Sequence, residues 1–272
     1  MVQAKKYNKE YNGYMKRDVQ NDQNKGRKRR FLVLTAVIAG AILLCAIVIM
    51  FILSEDDMPE LVIAGKPIDS EEYLEAVSEA RFDVEGYFRQ TYDADITSDD
   101  FWTTTYGDET PYEKVADEAL RELCRRYAVY QTAEEKGYTG SYSYQDIKER
   151  VEEENAERKA KREAGEVVYG LSEYTVSQFL SYEMSTLRQT YCNDDSNKDM
   201  EVSEEEVEEY YNNGGAIIGE DGGIISLEES RNALIYEIQK ERYDEMIGQK
   251  ADNLSVKTDR KELYEFTLDY IK

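Results

Sequence analysis

The sequence predicts a mostly α-helical protein, with one transmembrane helix near the N-terminus and then an extracytoplasmic helical domain that opens on a short strand. Three observations lead to this prediction. Residues 31–53 form an uncharged apolar run, proline occurs only 3 times, and the apolar residues beyond the run recur mostly at spacings of three and four. That spacing places apolar side chains on one face of a helix.

Charge is distributed unevenly along the 272 residues. The chain has 34 Lys+Arg against 58 Asp+Glu, a formal net charge of -24, and no histidine. Residues 1–30 carry ten basic and three acidic residues, a balance of +7 that leaves -31 for the remainder. The lack of histidine excludes Ser-His-Asp triads, Cys-His pairs and His-ligated metal sites. An acidic surface repels phosphate backbones, so no nucleic-acid partner is expected.

The run at 31–53 has the length and the flanking charges of a membrane span. As a helix it is about 34 Å long, enough to cross a hydrocarbon core of about 30 Å. Basic residues 27–30 precede it and acidic residues 55–57 follow it, which places the N-terminus in the cytoplasm. We therefore expect a signal anchor in the cell membrane, with a basic disordered cytoplasmic tail at 1–30. A cleaved signal peptide fits poorly because its apolar region is shorter and ends at a small-x-small site.

Helix caps divide the outer domain into elements. A Thr-Pro-Tyr-Glu start at Thr110 predicts a helix that ends at Gly137, and Ser-x-x-Glu boxes at Ser203 and Ser226 predict two more. The other predicted elements are a strand at 60–64 and helices at 69–92, 143–164 and 172–191. These elements make an N-terminal part at 54–211, a Gly-rich connection at 212–225, and a return helix and tail at 226–272.

One polar stretch between predicted helices approaches an EF-hand calcium loop. Oxygen-bearing side chains at its positions 1, 3, 5, 9 and 12 are Asp195, Asn197, Asp199, Ser203 and Glu206. Met200 occupies the position at which an EF-hand loop has its turn glycine. A capping box accounts for two of the five oxygen-bearing side chains, Ser203 and Glu206, without a metal ion. We favour the polar loop and predict no metal, with Asp195, Asn197, Asp199 and Glu206 as the calcium alternative.

No other motif in the sequence points to chemistry. GxSxG, GxGxxG, Walker and CxxC patterns are absent, so we predict no cofactor, no catalytic residues and no enzymatic activity. The spacing of Cys124 and Cys192 leaves open whether they form a disulfide. Trp102 is expected in the core.

Seven segments of the sequence, taken in order, can be compared with the segments of a known protein family. They are ELVIAGKPIDSEEY at 60–73, Trp102 with the helix start at 110–113, AEEKG at 133–137, NAER at 155–158, GEVVYG at 165–170, VSEEEVEEYY at 202–211 and the helix from 226 to 256. This series resembles the SurA N-terminal-domain family, which includes the PrsA-like foldases. The resemblance implies a helical chaperone lobe.

Asn155 and Arg158 lie one helical turn apart before the Gly-bounded loop that carries Tyr169. We expect them to hydrogen-bond that loop's backbone rather than a partner.

One departure from that family decides the expected function. Its foldases usually carry a parvulin prolyl isomerase domain before the return helix, whereas here only 212–225 intervene, and histidine is absent. Isomerase activity is therefore not expected. The resemblance implies a chaperone of the holdase type. Together with the predicted anchor, which contacts the lipid bilayer through 31–53, it leads us to expect a membrane-anchored, extracytoplasmic chaperone in a Gram-positive-type envelope.

The expected partners are unfolded or secreted polypeptides. They would dock in shallow apolar, tyrosine-lined grooves between the N-terminal lobe and the return helix, and a negative rim would favour basic or neutral segments. The alternative is an envelope structural or assembly protein that binds one specific protein partner. The oligomeric state is left open.

Overall fold

The computed structural model describes residues 58–218 and 223–272. The predicted tail at 1–30 and the predicted span at 31–53 lie outside these residues, as do positions 219–222 of the predicted connection. Among the helices in the described part, none combines the length and the apolar character needed to cross a bilayer. Residues Met58–Lys272 form a compact unit of their own.

Seven α-helices and three two-residue strands occur in the described residues, so the prediction of a mostly helical domain with a short opening strand is confirmed. The helices are α1 (Ser70–Tyr92), α2 (Pro111–Lys136), α3 (Tyr144–Glu163), α4 (Val176–Asn193), α5 (Glu204–Tyr210), α6 (Leu227–Asp252) and α7 (Arg260–Ile271). The strands are β1 (Val62–Ile63), β2 (Lys66–Pro67) and β3 (Val256–Lys257).

Capping boxes set the start of four helices. Their cap residues are Ser143, Thr175, Ser203 and Ser226, and each accepts a hydrogen bond from the N–H three residues on, whose side chain accepts one in return. The boxes predicted at Ser203 and Ser226 are confirmed. The predicted start at Ser172 is wrong, because the box of Thr175 with Gln178 begins α4 at Val176.

Helix α2 begins and ends where the sequence predicts. Thr110 precedes it but makes no side-chain capping bond. Pro111 takes the first helical position, where its missing N–H needs no partner. Gly137 ends the helix with a φ of 75°, a conformation that glycine adopts without strain.

The strands form a small antiparallel sheet in the order β2-β1-β3. A two-residue turn joins β1 to β2, and both its residues, Ala64 and Gly65, have positive φ as a type I′ turn requires. The strand predicted at 60–64 is therefore shorter than expected. Strand β3, which the sequence did not predict, pairs with β1 and ties the end of α6 to the start of the domain.

Helix α2 lies at the centre of the hydrophobic core. It packs against α1, α4, α6 and α7, and Leu123 and Tyr130 are among its buried residues. The hydroxyls of Tyr73 on α1 and Thr267 on α7 are hydrogen-bonded in the interior, 2.6 Å apart. Trp102 is buried, as predicted.

A smaller hydrophobic cluster lies beside the predicted connection at 212–225. Val207 of α5 packs there with Leu234 and Ile238 from the first half of α6. In the described part of the connection, a π-helical turn (Tyr211–Gly215) leads into a bridge between Ile218 and Ile224. That this connection takes the place of an isomerase domain stays a prediction.

Candidate functional site

The loop between α3 and α4, residues 164–175, displays three apolar side chains to solvent. Val167 is 73% exposed, Tyr169 is 84% exposed and Leu171 is 45% exposed. The three lie within five consecutive residues of one loop, and together we call them the loop patch. Exposed apolar side chains that lie close together in sequence make this loop a candidate surface for contact with another molecule.

Side chains from α3 hold the backbone of this α3–α4 loop. Asn155 Nδ2 donates to the carbonyl of Tyr174 at 2.9 Å and Asn155 Oδ1 accepts from its N–H at 2.7 Å. Arg158 donates to the carbonyls of Tyr169 and Leu171 at 3.0 and 2.8 Å. Arg162 donates to the Ser172 carbonyl. The prediction that Asn155 and Arg158 bind this backbone is confirmed. These hydrogen bonds hold the loop in place while its apolar side chains face solvent.

A groove runs along α2. Its central cavity, of about 510 Å³, is bounded by α1, α2 and the end of α6. It shares Asp83 with a cavity of about 440 Å³ along α1. At its other end it shares Glu122 and Arg125 with a cavity of about 290 Å³ towards α4. The expected groove between the N-terminal lobe and the return helix is thus present.

The lining of this groove differs from the expected tyrosines. Tyr87 and Tyr243 line only the two outer cavities. The central cavity, which we call the acidic groove, is lined by the carboxylates Glu79, Asp83, Glu118, Glu122 and Asp252, two arginines and the small residues Ala80, Gly248 and Ala251. The tyrosine-lined interpretation is wrong for the central cavity, because no tyrosine is among the residues that line it.

A buried ionic cluster lies directly behind the acidic groove. Arg126 of α2 is only 2% exposed. Its terminal nitrogens stand 3.9 Å from carboxylate oxygens of Glu72, Glu75 and Glu79, all from α1. Arg126 Nε and Nη1 have no hydrogen-bond partner among the described residues. A guanidinium in a strong pair stands about 2.8 Å from its carboxylate, so this cluster is loosely paired.

Burial dominates the protonation of this cluster. It raises the pKa of Glu72 from 4.5 to about 7, against the opposing effect of Arg126. Burial likewise raises the pKa of Glu75 and that of Glu122. The sequence reasoning missed this cluster. The one signal for this cluster in the sequence is Arg126, which interrupts the apolar face of α2 between Leu123 and Tyr130.

The residues of the calcium alternative are engaged in protein contacts. Asn197 is buried, its Oδ1 accepts from Lys136 and its Nδ2 donates to the Tyr191 carbonyl at 2.8 Å. Asp199 accepts from the Tyr191 hydroxyl at 3.0 Å. Glu206 caps α5 through Ser203 and pairs with Arg242.

Asp195 lies at the start of the same polar loop. Within 58–218 and 223–272, no three Asp, Glu or Cys side chains gather so that they could hold a metal ion. Calcium binding at Asp195, Asn197, Asp199 and Glu206 stays a hypothesis for titration. Cys124 and Cys192 are both free thiols.

Comparison with known proteins identifies the family. No family model matches the chain, and no solved structure matches it. A protein of Bifidobacterium longum subsp. longum, named a chaperone for lacto-N-biosidase, is 33% identical over 201 residues, which cover 74% of this chain and 71% of that protein. The chain belongs to this chaperone family. Membership indicates a non-enzymatic role, in line with the sequence prediction.

The two surfaces described above fit a chaperone in different ways. An exposed apolar loop offers a chaperone a surface where apolar side chains of another polypeptide can replace water. The acidic groove supplies charge and space for an extended chain. The α3–α4 loop is therefore the first candidate for contact with a protein, and the groove is the second.

Proposed function

We propose that this chaperone-family protein is a membrane-anchored holdase that binds unfolded or secreted polypeptides outside the cytoplasm, without isomerase chemistry. The proposed anchor is residues 31–53, with the N-terminus in the cytoplasm, and it rests on sequence alone. We also propose that the helical domain is related to the SurA N-terminal-domain and PrsA-like foldases. The order of sequence segments supports that relationship.

The fixed, exposed patch on the α3–α4 loop carries the proposal. Covering a large apolar side chain contributes about 1.5–3 kcal/mol, so three partly exposed ones contribute about 4 kcal/mol when a client segment covers them. That value corresponds to a dissociation constant of about 1 mM for a single contact. Because α3 already fixes the loop, little entropy is lost on docking. Weak docking of this kind lets a client leave unaided.

Aggregation assays test this function. Residues 58–272, which form a compact unit with its own core, should slow the aggregation of several unrelated unfolded proteins. The triple variant Val167→Ser, Tyr169→Ser, Leu171→Ser should lose that protection and keep its melting temperature. A matched control, Tyr236→Ser with Tyr270→Ser, removes exposed aromatic rings from α6 and α7 and should still protect. Full protection by the triple variant would refute the role of the loop.

A second candidate function is service to one dedicated enzyme. The related protein is named a chaperone for lacto-N-biosidase, and that name favours a single client over many. The same assay distinguishes the two, with lacto-N-biosidase run beside three unrelated proteins. Protection of lacto-N-biosidase alone selects the dedicated role, protection of all selects the general holdase, and protection of none contradicts both.

A further inference from the structure

One arginine of α4 makes no hydrogen bond within the described residues. The side chain of Arg188 is only 23% exposed, and its Nη1 stands 3.9 Å from Oδ1 of Asp244, too far for a hydrogen bond. Its Nε is buried and has no partner in the described part of the chain. A guanidinium carries five N–H donors, and donors that leave water without finding acceptors cost free energy. The terminal nitrogens are not buried as Nε is, so they can meet an acceptor from another molecule.

The carboxylate that faces Arg188 is already engaged. Oδ1 of Asp244 accepts a hydrogen bond from Arg125 Nη2 at 2.8 Å, and this is the same oxygen that lies 3.9 Å from Arg188. A hydrogen bond between a charged donor and a carboxylate is about 2.7–2.9 Å long. Asp244 therefore satisfies Arg125 rather than Arg188, and a second carboxylate would give Arg188 the partner that it lacks.

Arg188 lines a cavity of about 290 Å³ between α2, α4 and α6, which we call the α4 pocket. Ser181 and Ser185 also line it, and the spacings of four and three place all three residues on one face of α4. The two serine hydroxyls make no hydrogen bond within 58–218 and 223–272. The apolar side of the pocket is formed by Val129, Met184 and Tyr243. A cavity of this size admits one side chain or one chain end.

Two carboxylates of the protein also line the α4 pocket, Glu122 and Asp244. Asp244 is bonded to Arg125. Burial raises the pKa of Glu122, so this carboxyl takes up a proton more readily than an exposed glutamate does when another negative charge approaches. The two guanidinium groups then face one ionised carboxylate of the protein, and a ligand can supply the other.

We propose that the α4 pocket binds a carboxylate group of a client polypeptide, held by the terminal nitrogens of Arg188 and the hydroxyls of Ser181 and Ser185. A glutamate side chain and a C-terminal carboxylate carry the same group, and either one suits a pocket of this size. This inference rests on the proposed function, because it assumes that the protein binds polypeptide clients. It adds an acid-selective site to a protein whose overall charge repels acidic segments.

Peptide binding to the full chain in detergent micelles tests the proposal. Three peptides share their leucine and serine residues and an uncharged BODIPY label. The first has a central glutamate and an amidated C-terminus, the second has glutamine in place of the glutamate, and the third has glutamine and a free C-terminal carboxylate. By fluorescence anisotropy, at least one carboxylate peptide should bind about threefold to tenfold more tightly than the neutral second peptide. The peptide that gains affinity identifies the source of the carboxylate.

The overall charge of the protein makes this comparison stringent. With a net charge of -24, the long-range field of the protein favours the neutral peptide over both carboxylate peptides. A preference for a carboxylate therefore requires a local site that overcomes this field.

Variants assign the effect to the α4 pocket. Arg188→Gln should abolish the preference for a carboxylate without lowering the affinity for the neutral peptide. Arg188→Lys should keep part of the preference, because lysine keeps the charge but lacks the planar fork, and it replaces Arg188→Gln if that variant does not fold. The matched control Arg89→Gln removes an exposed arginine of α1 that does not line this pocket, and it should leave the preference unchanged. The melting temperature of each variant checks that it is folded.

The outcomes separate this inference from the proposed function. If neither carboxylate peptide binds the wild-type chain more tightly than the neutral peptide, the carboxylate site is overturned and the chaperone role is left intact. A preference that folded Arg188→Gln, or folded Arg188→Lys in its place, retains in full would also overturn the site. Binding of none of the three peptides would contradict the proposed function itself.

Discussion

Buried Glu72 should make the stability of the domain depend on pH in an unusual direction. In the unfolded chain this carboxyl loses its proton near its ordinary pKa of 4.5, whereas burial keeps it protonated in the folded domain until about pH 7. Between these values the folded state binds more protons than the unfolded state, so the free energy of unfolding falls as pH rises. About 2.5 pH units at 1.36 kcal/mol per unit give a loss of about 3 kcal/mol.

Glu72→Gln removes this loss because the amide has no proton to release. Its carbonyl oxygen can still accept the hydrogen bond from the Tyr127 hydroxyl, which is 3.3 Å from the Glu72 carboxylate. Relative to wild type, the variant should gain about 3 kcal/mol of stability between pH 4.5 and pH 8. Glu149→Gln, which changes an exposed carboxylate on α3, should follow the wild-type curve.

Urea unfolding of residues 58–272 at pH 4.5, 6 and 8 measures this difference. Partly buried carboxylates, including Glu75 and Glu122, add to the slope of both proteins, so only the difference between variant and wild type reports on Glu72. Parallel curves for Glu72→Gln and wild type would refute the reasoning. So would a variant that loses more stability than wild type as the pH rises.

Three further predictions concern the loop, the calcium alternative and the topology. Arg158→Ala frees two loop carbonyls, so limited proteolysis should cut the chain within 164–175 far faster than in wild type. An unchanged cleavage rate would show that the loop does not need this arginine. Millimolar calcium should leave the melting temperature unchanged because Asn197 is already bonded to Lys136; a rise that disappears in Asp195→Ala would support the calcium site instead. External protease added to intact cells should digest 54–272 in the full chain, and protection of that part until the membrane is broken would contradict the proposed topology.

Local signals accounted for much of the fold. The capping boxes at Ser203 and Ser226 could be predicted because a cap involves only residues three apart in sequence. The contacts of Asn155 and Arg158 could be predicted for a similar reason, since they precede a Gly-bounded loop by about three and two helical turns. The start of α4 was placed too early because Ser172 and Thr175 both offer capping hydroxyls, and only the position of Gln178 decides between them.

Long-range packing accounts for what the sequence did not show. The cluster of Glu72 and Glu75 around Arg126 forms only when α1 lies on α2, so its pKa shift could not be predicted from spacing. The exposure of Val167 and Leu171 also contradicts the usual tendency of such residues to be buried. Strand β3 is only two residues long, and it exists because the chain returns to pair with β1.

The central claim is that the α3–α4 loop holds protein clients. The most direct test compares residues 58–272 with the Val167→Ser, Tyr169→Ser, Leu171→Ser variant in one light-scattering assay, with chemically unfolded lacto-N-biosidase and an unrelated protein as clients. The account predicts that the wild-type domain delays the aggregation of at least lacto-N-biosidase and that the folded triple variant does not. The account is contradicted if the wild-type domain does not delay the aggregation of either client. It is also contradicted if the folded triple variant protects as well as the wild-type domain.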